Sequence, residues 1–438
     1  MIKSVLDNHP RRFALTNELH ARPFTPTDAP GRVLMVAFKE TENAAERDPA
    51  RDHAHLTALI DRHGGPHPAP DANHYFADFG RFRLKWERHT EFVSYTLFES
   101  GPSDTLFAGT LFQHLPGEWL AQAPGKVVAA VEIELIRARD FEAAAALIDG
   151  ALGRQFARES MVVARVLDGA AVAIGDFRIH EGGFTRFALV VHDDVGDRRI
   201  GRAVQRLIEV ENYRILSMLA LPIARDAARR LNEIDRELTS LIRLVASSER
   251  TASEQAILDQ LTALSAEIEA MSAATAFRFG AATAYEAIVH QRIANLREER
   301  MMGRQLFSEF MMRRYDPAMR TCHSTAGRLA DMATRASRIG DLLRTRVDVA
   351  VEAQNQKLLA SMNARADTQL RLQETVEGLS VVAISYYAVS LLGYALAPLA
   401  KPLGVDKTTL LALVALPVVI AVGWSMRRIR KRITRRGD

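Results

Sequence analysis

The chain has 438 residues and a single cysteine, Cys322. That excludes a disulfide framework and any thiolate-rich metal site, and fits a reducing compartment. Catalytic spacings are also missing. No H-E-x-x-H pair is present, and Gly64–Gly65 and Gly182–Gly183 lack the spacing that cradles a phosphate. Aromatic residues make up 7% of the chain. The formal charge is +4, but it is unevenly placed. Nine basic and two acidic residues lie beyond position 378, which leaves 48 basic and 51 acidic residues in 1–378, a net of −3. A nucleic-acid footprint needs basic charge spread over one face, so none is expected.

Long apolar runs are present, at one end only. Residues 379–399 read LSVVAISYYAVSLLGYALAPL and residues 408–426 read TTLLALVALPVVIAVGWSM, both without an ionisable group. At ~1.5 Å per helical residue, each is long enough for a hydrocarbon core of ~30 Å. Seven Lys/Arg follow Met426, whereas the connecting loop is short and nearly neutral. Positive charge stays on the cytoplasmic side. The expectation is therefore a two-span membrane hairpin with both termini cytoplasmic. No apolar segment suited to a signal peptide opens the chain. Lipid is the expected partner of the runs, and the basic tail is expected to sit against anionic headgroups.

Pro10, Pro23, Pro26 and Pro30 mark 1–30 as an extended arm. Strands are expected at 32–39, 73–79, 82–86, 92–99, 127–135, 161–166, 171–179 and 184–192, with helices near 48–62 and 140–150. Together they form an α+β domain over 31–195. A helical section, 196–316, follows. Leu231, Ile234, Leu238, Leu241 and Val245 form one seam, and Ile257, Leu261, Leu264, Ile268 and Met271 another. Their steps of three and four read as an antiparallel helical hairpin. A further helix is expected over 281–314. Asp316–Pro317 signals a new start, from which a stalk helix, 317–378, can run unbroken into the first span. The fold class is thus an α+β cytoplasmic domain, a long-helix bundle and a transmembrane hairpin over 379–426, ending in a basic tail, 427–438.

Three features invite a functional reading. In the extended arm, Glu18, His20 and Arg22 share one side beside Asn17, a cluster able to bind a ligand or simply to pin the arm. Along the stalk and first span, Gln369, Gln373, Ser380, Tyr387, Ser390 and Tyr394 lie on one face. Lipid offers a hydroxyl no partner, so this face is expected to turn toward the axis of a homo-oligomer. Its hydroxyls have the alternative of bonding to carbonyls of their own helix. Asp52-His53-Ala54-His55 would suit a metal in a strand, but on a helix an i, i+2 pair diverges. In 81–92, Phe82, Leu84 and Trp86 are expected to face a core, with Arg83, Lys85 and Glu87 opposite. No catalytic residue, metal ligand or cofactor is assigned.

The segments NELHARPF, FRLKWERHTEF and RLQETVEGLSVVAISYY resemble a bacterial family of uncharacterised, membrane-anchored proteins known as a domain of unknown function. The resemblance covers nearly the whole chain. It implies an inner-membrane protein with a cytoplasmic body and brings no activity. The order of parts is also similar to that of CorA-type magnesium transporters. Those carry Gly-Met-Asn at the end of the first span, where this chain has Tyr394-Ala395-Leu396-Ala397-Pro398-Leu399. Three function classes follow, in this order: a membrane-anchored, oligomeric scaffold or regulator; a CorA-like ion pathway; and an enzyme built on Glu18, His20 and Arg22. The ion or protein partner is not specified by the sequence.

Overall fold

The computed structural model describes residues 7–13, 15–16, 24–41, 47–246, 254–403 and 406–434. The chain divides into two units, Met1–Gly340 and Asp341–Asp438.

The first unit is built on a nine-stranded mixed sheet. Its strands are β1 (Gly31–Lys39), β2 (His74–Asp78), β3 (Arg83–Arg88), β4 (Phe92–Ser100), β5 (Lys126–Ala138), β6 (Val162–Val166), β7 (Ala171–Ile179), β8 (Thr185–His192) and β9 (Glu299–Arg300). They lie in the order β2-β3-β4-β1-β5-β8-β7-β6-β9. Neighbours are antiparallel except β5 and β8, which are parallel. β2-β3-β4 and β6-β7-β8 are meanders joined by short turns, β1 and β5 complete the first half, β9 edges the second, and the parallel pair is the seam where the two halves meet. The first eight strands fall close to the stretches marked by alternation and Gly/Pro punctuation.

Both faces of the central strands are covered, because β1 and β8 carry apolar residues at consecutive positions and β5 does so up to Val131. On one face, Val33, Met35, Val131, Ile133, Leu135, Phe187 and Leu189 pack against Ile200, Val204 and Leu207 of α4 (Asp197–Met218) and Val289 and Ile293 of α6 (Glu254–Leu296). The opposite face holds two separate cores. Leu34, Val36, Phe38, Trp86 and Tyr95 meet Leu56, Leu59 and Ile60 of α1 (Pro49–His63), with Trp119 of the short α2 (Gly117–Ala121). Val172, Ile174, Ala188 and Val190 meet Ala144 and Ile148 of α3 (Phe141–Asp149). Both helices begin at an aspartate whose side chain accepts a backbone N–H, Asp48 from Ala50 and Asp140 from Ala143.

The helical part joins the first of these cores through Leu221, Ala224, Phe279 and Ala282 and continues beyond it. Leu231, Ile234, Leu238 and Leu241 of α5 (Ala220–Ala246) are buried, as are Ile257, Leu261, Leu264 and Ile268 of α6. A bidentate pair from Arg230 to Glu267, 2.5 and 2.7 Å, links the two helices. The helix expected over 281–314 does not exist as one element. α6 stops at Leu296, Arg297 and Met302 take positive φ, and residues 299–300 pair with β6 as an edge strand. The helix resumes as α7 (Phe307–Phe310) and a five-residue π turn, where Phe310 stacks on Phe177 of β7 at 4.6 Å. Tertiary packing of these aromatics on the sheet thus overrides local helix propensity. One expected face also differs. Leu84 and Trp86 are buried as anticipated, but Lys85 is buried too, paired with Glu87 at 3.1 Å.

A single helix, α8 (Asp316–Leu403), spans 88 residues and belongs to both units by sequence. In the second unit it is accompanied by α9 (Lys407–Thr434). Both are long and apolar enough to cross a membrane. Only 11% of the apolar window of α8 is buried, and none of that of α9. A core helix of a soluble protein would hide such a surface, whereas here Leu379, Val382, Leu391, Leu413 and Leu416 are all exposed. Gly393 is the close contact within this unit: a Cβ there would lie 2.9 Å from Leu411 Cδ2.

Candidate functional site: a buried carboxylate row between two cores

Strand β5 sets the site. Val131, Ile133 and Leu135 take one face, so Glu132 and Glu134 must take the other. The register places Arg32 of β1 beside Glu134 and, on its other side, beside Glu99 of β4. Arg186 of β8 lies beside Glu132. A charged row therefore crosses the sheet between the two cores of that face. Glu132 and Glu134 are 6% and 2% exposed, so water does not satisfy them.

The loop between β4 and β5 closes over the row. Phe107 N–H donates to Glu134 at 2.7 Å and Gly109 N–H to Glu132 at 3.3 Å. To aim them, the backbone turns left-handed at both residues, φ 56° at Phe107 and 67° at Gly109. That conformation suits Gly109 and is strained for a phenylalanine. Arg32 bonds Glu99 at 2.9 Å and donates to Thr110 at 2.8 Å. Arg186 lies 3.9 Å from Glu132 and stacks over the Phe107 ring at 4.9 Å. Burial pushes the Glu134 carboxyl up to about 7, with the neighbouring Glu132 adding to the rise. Burial also raises Glu132, against the pull of Arg186. The pair consequently holds a proton near neutral pH.

A second acid lies at the end of the row. The β7–β8 ladder is broken between Gly175 and Ile179, and Phe177 takes φ 55°. The bulge turns Asp176 inward, 1% exposed, where it accepts from the N–H groups of Ala157 (2.8 Å) and Arg178 (3.1 Å) and from His180 Nε2 at 2.9 Å. His180 is close enough for its charge to favour ionisation of Glu132. The arrangement is a buried set of carboxylates held by backbone N–H groups, arginines and a histidine, without a nucleophile beside a base.

Two other buried clusters are held by direct hydrogen bonds. His55 Nε2–H donates to Trp119 O at 3.0 Å, so its Nδ1 accepts from Tyr95 Oη at 2.7 Å. Burial drives this imidazole down to about 4, which keeps it neutral. Its neighbour His53 meets Pro68 O instead, so the Asp52–His55 stretch serves the core of α1. Glu91 receives Arg278, Tyr285 Oη at 2.6 Å and Lys39 at 3.4 Å, tying α6 to the sheet. Among the described residues no group of three or more His, Cys, Asp or Glu is arranged to hold a metal ion.

The residues singled out by sequence fare differently. Asn17, Glu18, His20 and Arg22 lie outside the described residues. Gln369 and Gln373 are exposed on α8, as are Tyr387 and Tyr394, while Ser390 is half-buried. Ser380 Oγ donates to Val376 O at 2.8 Å, the bond back to its own helix. None of these belongs to the carboxylate row. The row was missed because its members are 154 positions apart at most in charge-bearing strands that only register aligns. Its one local signal was Glu132-Ile133-Glu134, two carboxylates on one face of an otherwise apolar strand.

No curated protein and no solved structure matches the chain, so the likeness of layout to CorA-type transporters gains no support from known folds. One family does match, over residues 7–433, and it is described as a protein of unknown function. With nearly the full length covered, the chain belongs to the DUF3422 family.

Proposed function

We propose that this protein is a membrane-anchored regulator or scaffold, with the Met1–Gly340 unit and the basic tail on the cytoplasmic side. The observation that carries the reading is the pair of apolar helices, α8 and α9, whose aliphatic surface the chain itself leaves exposed. Lipid is the solvent that such a surface fits. The folded unit adds a regulatory element, because a buried carboxyl that titrates near neutral pH links proton binding to the packing of the β4–β5 loop. An alkaline phosphatase fusion after Asp438 is expected to be inactive, and a green fluorescent protein fusion at the same point bright, with the protein in the membrane fraction. An active phosphatase fusion, or protein recovered in the soluble fraction, would refute the anchor or its orientation.

The anchor is further proposed to assemble through the hydroxyl face of α8. Ser385 and Gly393 are buried within the unit, whereas Tyr387 and Tyr394 are exposed on a different face. That face is open to a second copy. In a Cys322→Ser background, cysteines at Ser380 and Ser390 are expected to crosslink between subunits more than cysteines at Val382 and Leu392. Equal crosslinking at all four, or none, would leave a simple anchor.

A further inference from the structure

We propose that Arg202, Arg206 and Arg292 form a binding site for a small phosphate-bearing anion, beside the point where the N-terminal arm meets α4. The site is separate from the carboxylate row and does not depend on the membrane reading above.

Helical spacing puts Arg202 and Arg206, one turn apart, on one face of α4. Arg292 comes to the same place from α6, and with Phe24, Gln205, Glu209 and Asn295 they line a cavity of about 240 Å³. Phe24 is held there by its own segment. Gly201 is buried against the arm, where a Cβ would fall 2.1 Å from Thr25 O, and Thr27 N–H donates to Asp197 O at 3.1 Å. The close approach that only glycine permits thus brings the Phe24 ring under the Arg202 guanidinium, 5.1 Å away.

The charges in the cavity do not balance. The carboxylate among its described lining residues, Glu209, is committed to Arg292 and to Gln205 Nε2, the latter at 2.8 Å. Arg297, close by, is paired with Asp168 at 3.1 Å. Among the described residues neither Arg202 nor Arg206 has a carboxylate at ion-pair distance. Arg206 is half-buried, and burial together with Arg202, Arg292 and Arg297 lowers its hold on its proton. Elsewhere in this unit Arg47, Arg214 and Arg278 meet carboxylates, and Arg137 is received by four backbone carbonyls. Here, among the described residues, two guanidinium forks line a cavity without a carboxylate at ion-pair distance from either.

Guanidinium forks match the paired oxygens of a phosphate better than a spherical halide, and a phosphate dianion offsets two unmet charges. Size narrows the class further. The cavity is smaller than the ~300 Å³ at which pockets for drug-sized ligands begin. It suits orthophosphate or the head of a phosphomonoester rather than a dinucleotide. A free phosphate and a lipid headgroup share this chemistry.

The test uses the full-length protein in neutral detergent, with thermal unfolding followed at constant ionic strength. Replacing chloride by inorganic phosphate is expected to raise the midpoint saturably. In Arg202→Gln/Arg206→Gln the affinity should fall at least about tenfold. Glu209→Gln, which removes the competing carboxylate, should tighten binding, and this gain keeps the test decisive if the double variant folds poorly. A second arm compares nanodiscs of phosphatidylcholine alone with nanodiscs containing phosphatidic acid, whose headgroup is a phosphomonoester. A response to free phosphate with no lipid dependence assigns a soluble anion. A response to phosphatidic acid, lost in the double variant, assigns a headgroup. If phosphate behaves as chloride does and the two nanodiscs are equivalent, or if the double variant responds like the parent, the site does not exist.

Discussion

Glu134→Gln is expected to make the protein more stable at pH 8, by about 3 kcal/mol, and to change little at pH 4. The ordinary glutamate value is 4.5, and burial raises Glu134 to about 7. Below 4.5 the folded and unfolded chains both carry the proton, so the group contributes no penalty. As pH rises from 4.5 toward 7, the unfolded chain releases the proton and the folded chain keeps it. Stability is therefore lost across that window and levels off above it. At ~1.36 kcal/mol per pH unit of displacement, the full loss is roughly 3 kcal/mol. Glutamine removes the titration while retaining an acceptor for Phe107 N–H. Urea unfolding of parent and variant between pH 4 and pH 8 reads the effect. A constant difference across pH, or a variant that is destabilised at pH 8, would show that Glu134 is ionised and paired in the fold.

Arg47→Ala is expected to cost about 3–5 kcal/mol, the scale for stranding a buried charge. Arg47 donates to both Asp52 oxygens at 2.6 Å and to Pro124 O at 2.9 Å, with 4% and 1% of the two side chains exposed. Even with that partner, burial pushes the Asp52 carboxyl up. Without it, Asp52 has to take up a proton or pull water into the core beneath α1. Asp52→Asn in the Arg47→Ala background should consequently recover part of the loss, and Arg47→Met/Asp52→Leu more of it. Chemical denaturation of the four proteins measures this. Equal stability of the parent and Arg47→Ala would mean that the pair is solvated.

How far sequence reaches here depends on whether a feature is local. Alternation and turn residues locate eight strands because a half or fully buried strand writes its period of two, or its apolar run, into consecutive positions. The same holds for the heptad seams of α5 and α6 and for the unbroken helix after Asp316. Helix breaks are less legible. Nothing in Arg297–Met302 forbids a helix. It ends because Phe307 and Phe310 gain more by packing on Phe177 and Phe187 of the sheet.

The sequence by itself determined that two apolar helices close the chain and that charge is concentrated beyond them, since hydropathy is a property of contiguous residues. It also showed the family through motifs such as NELHARPF. Only the tertiary structure decided the sites. Glu132 and Glu134 become a buried row because register sets Arg32 and Arg186 beside them and the 101–116 loop closes over them. Arg202, Arg206 and Arg292 line one cavity because two helices distant in sequence converge beside Phe24. Charge in a sequence is additive, whereas a pKa or an anion site depends on which charges share a low-dielectric space, and only the folded chain sets that.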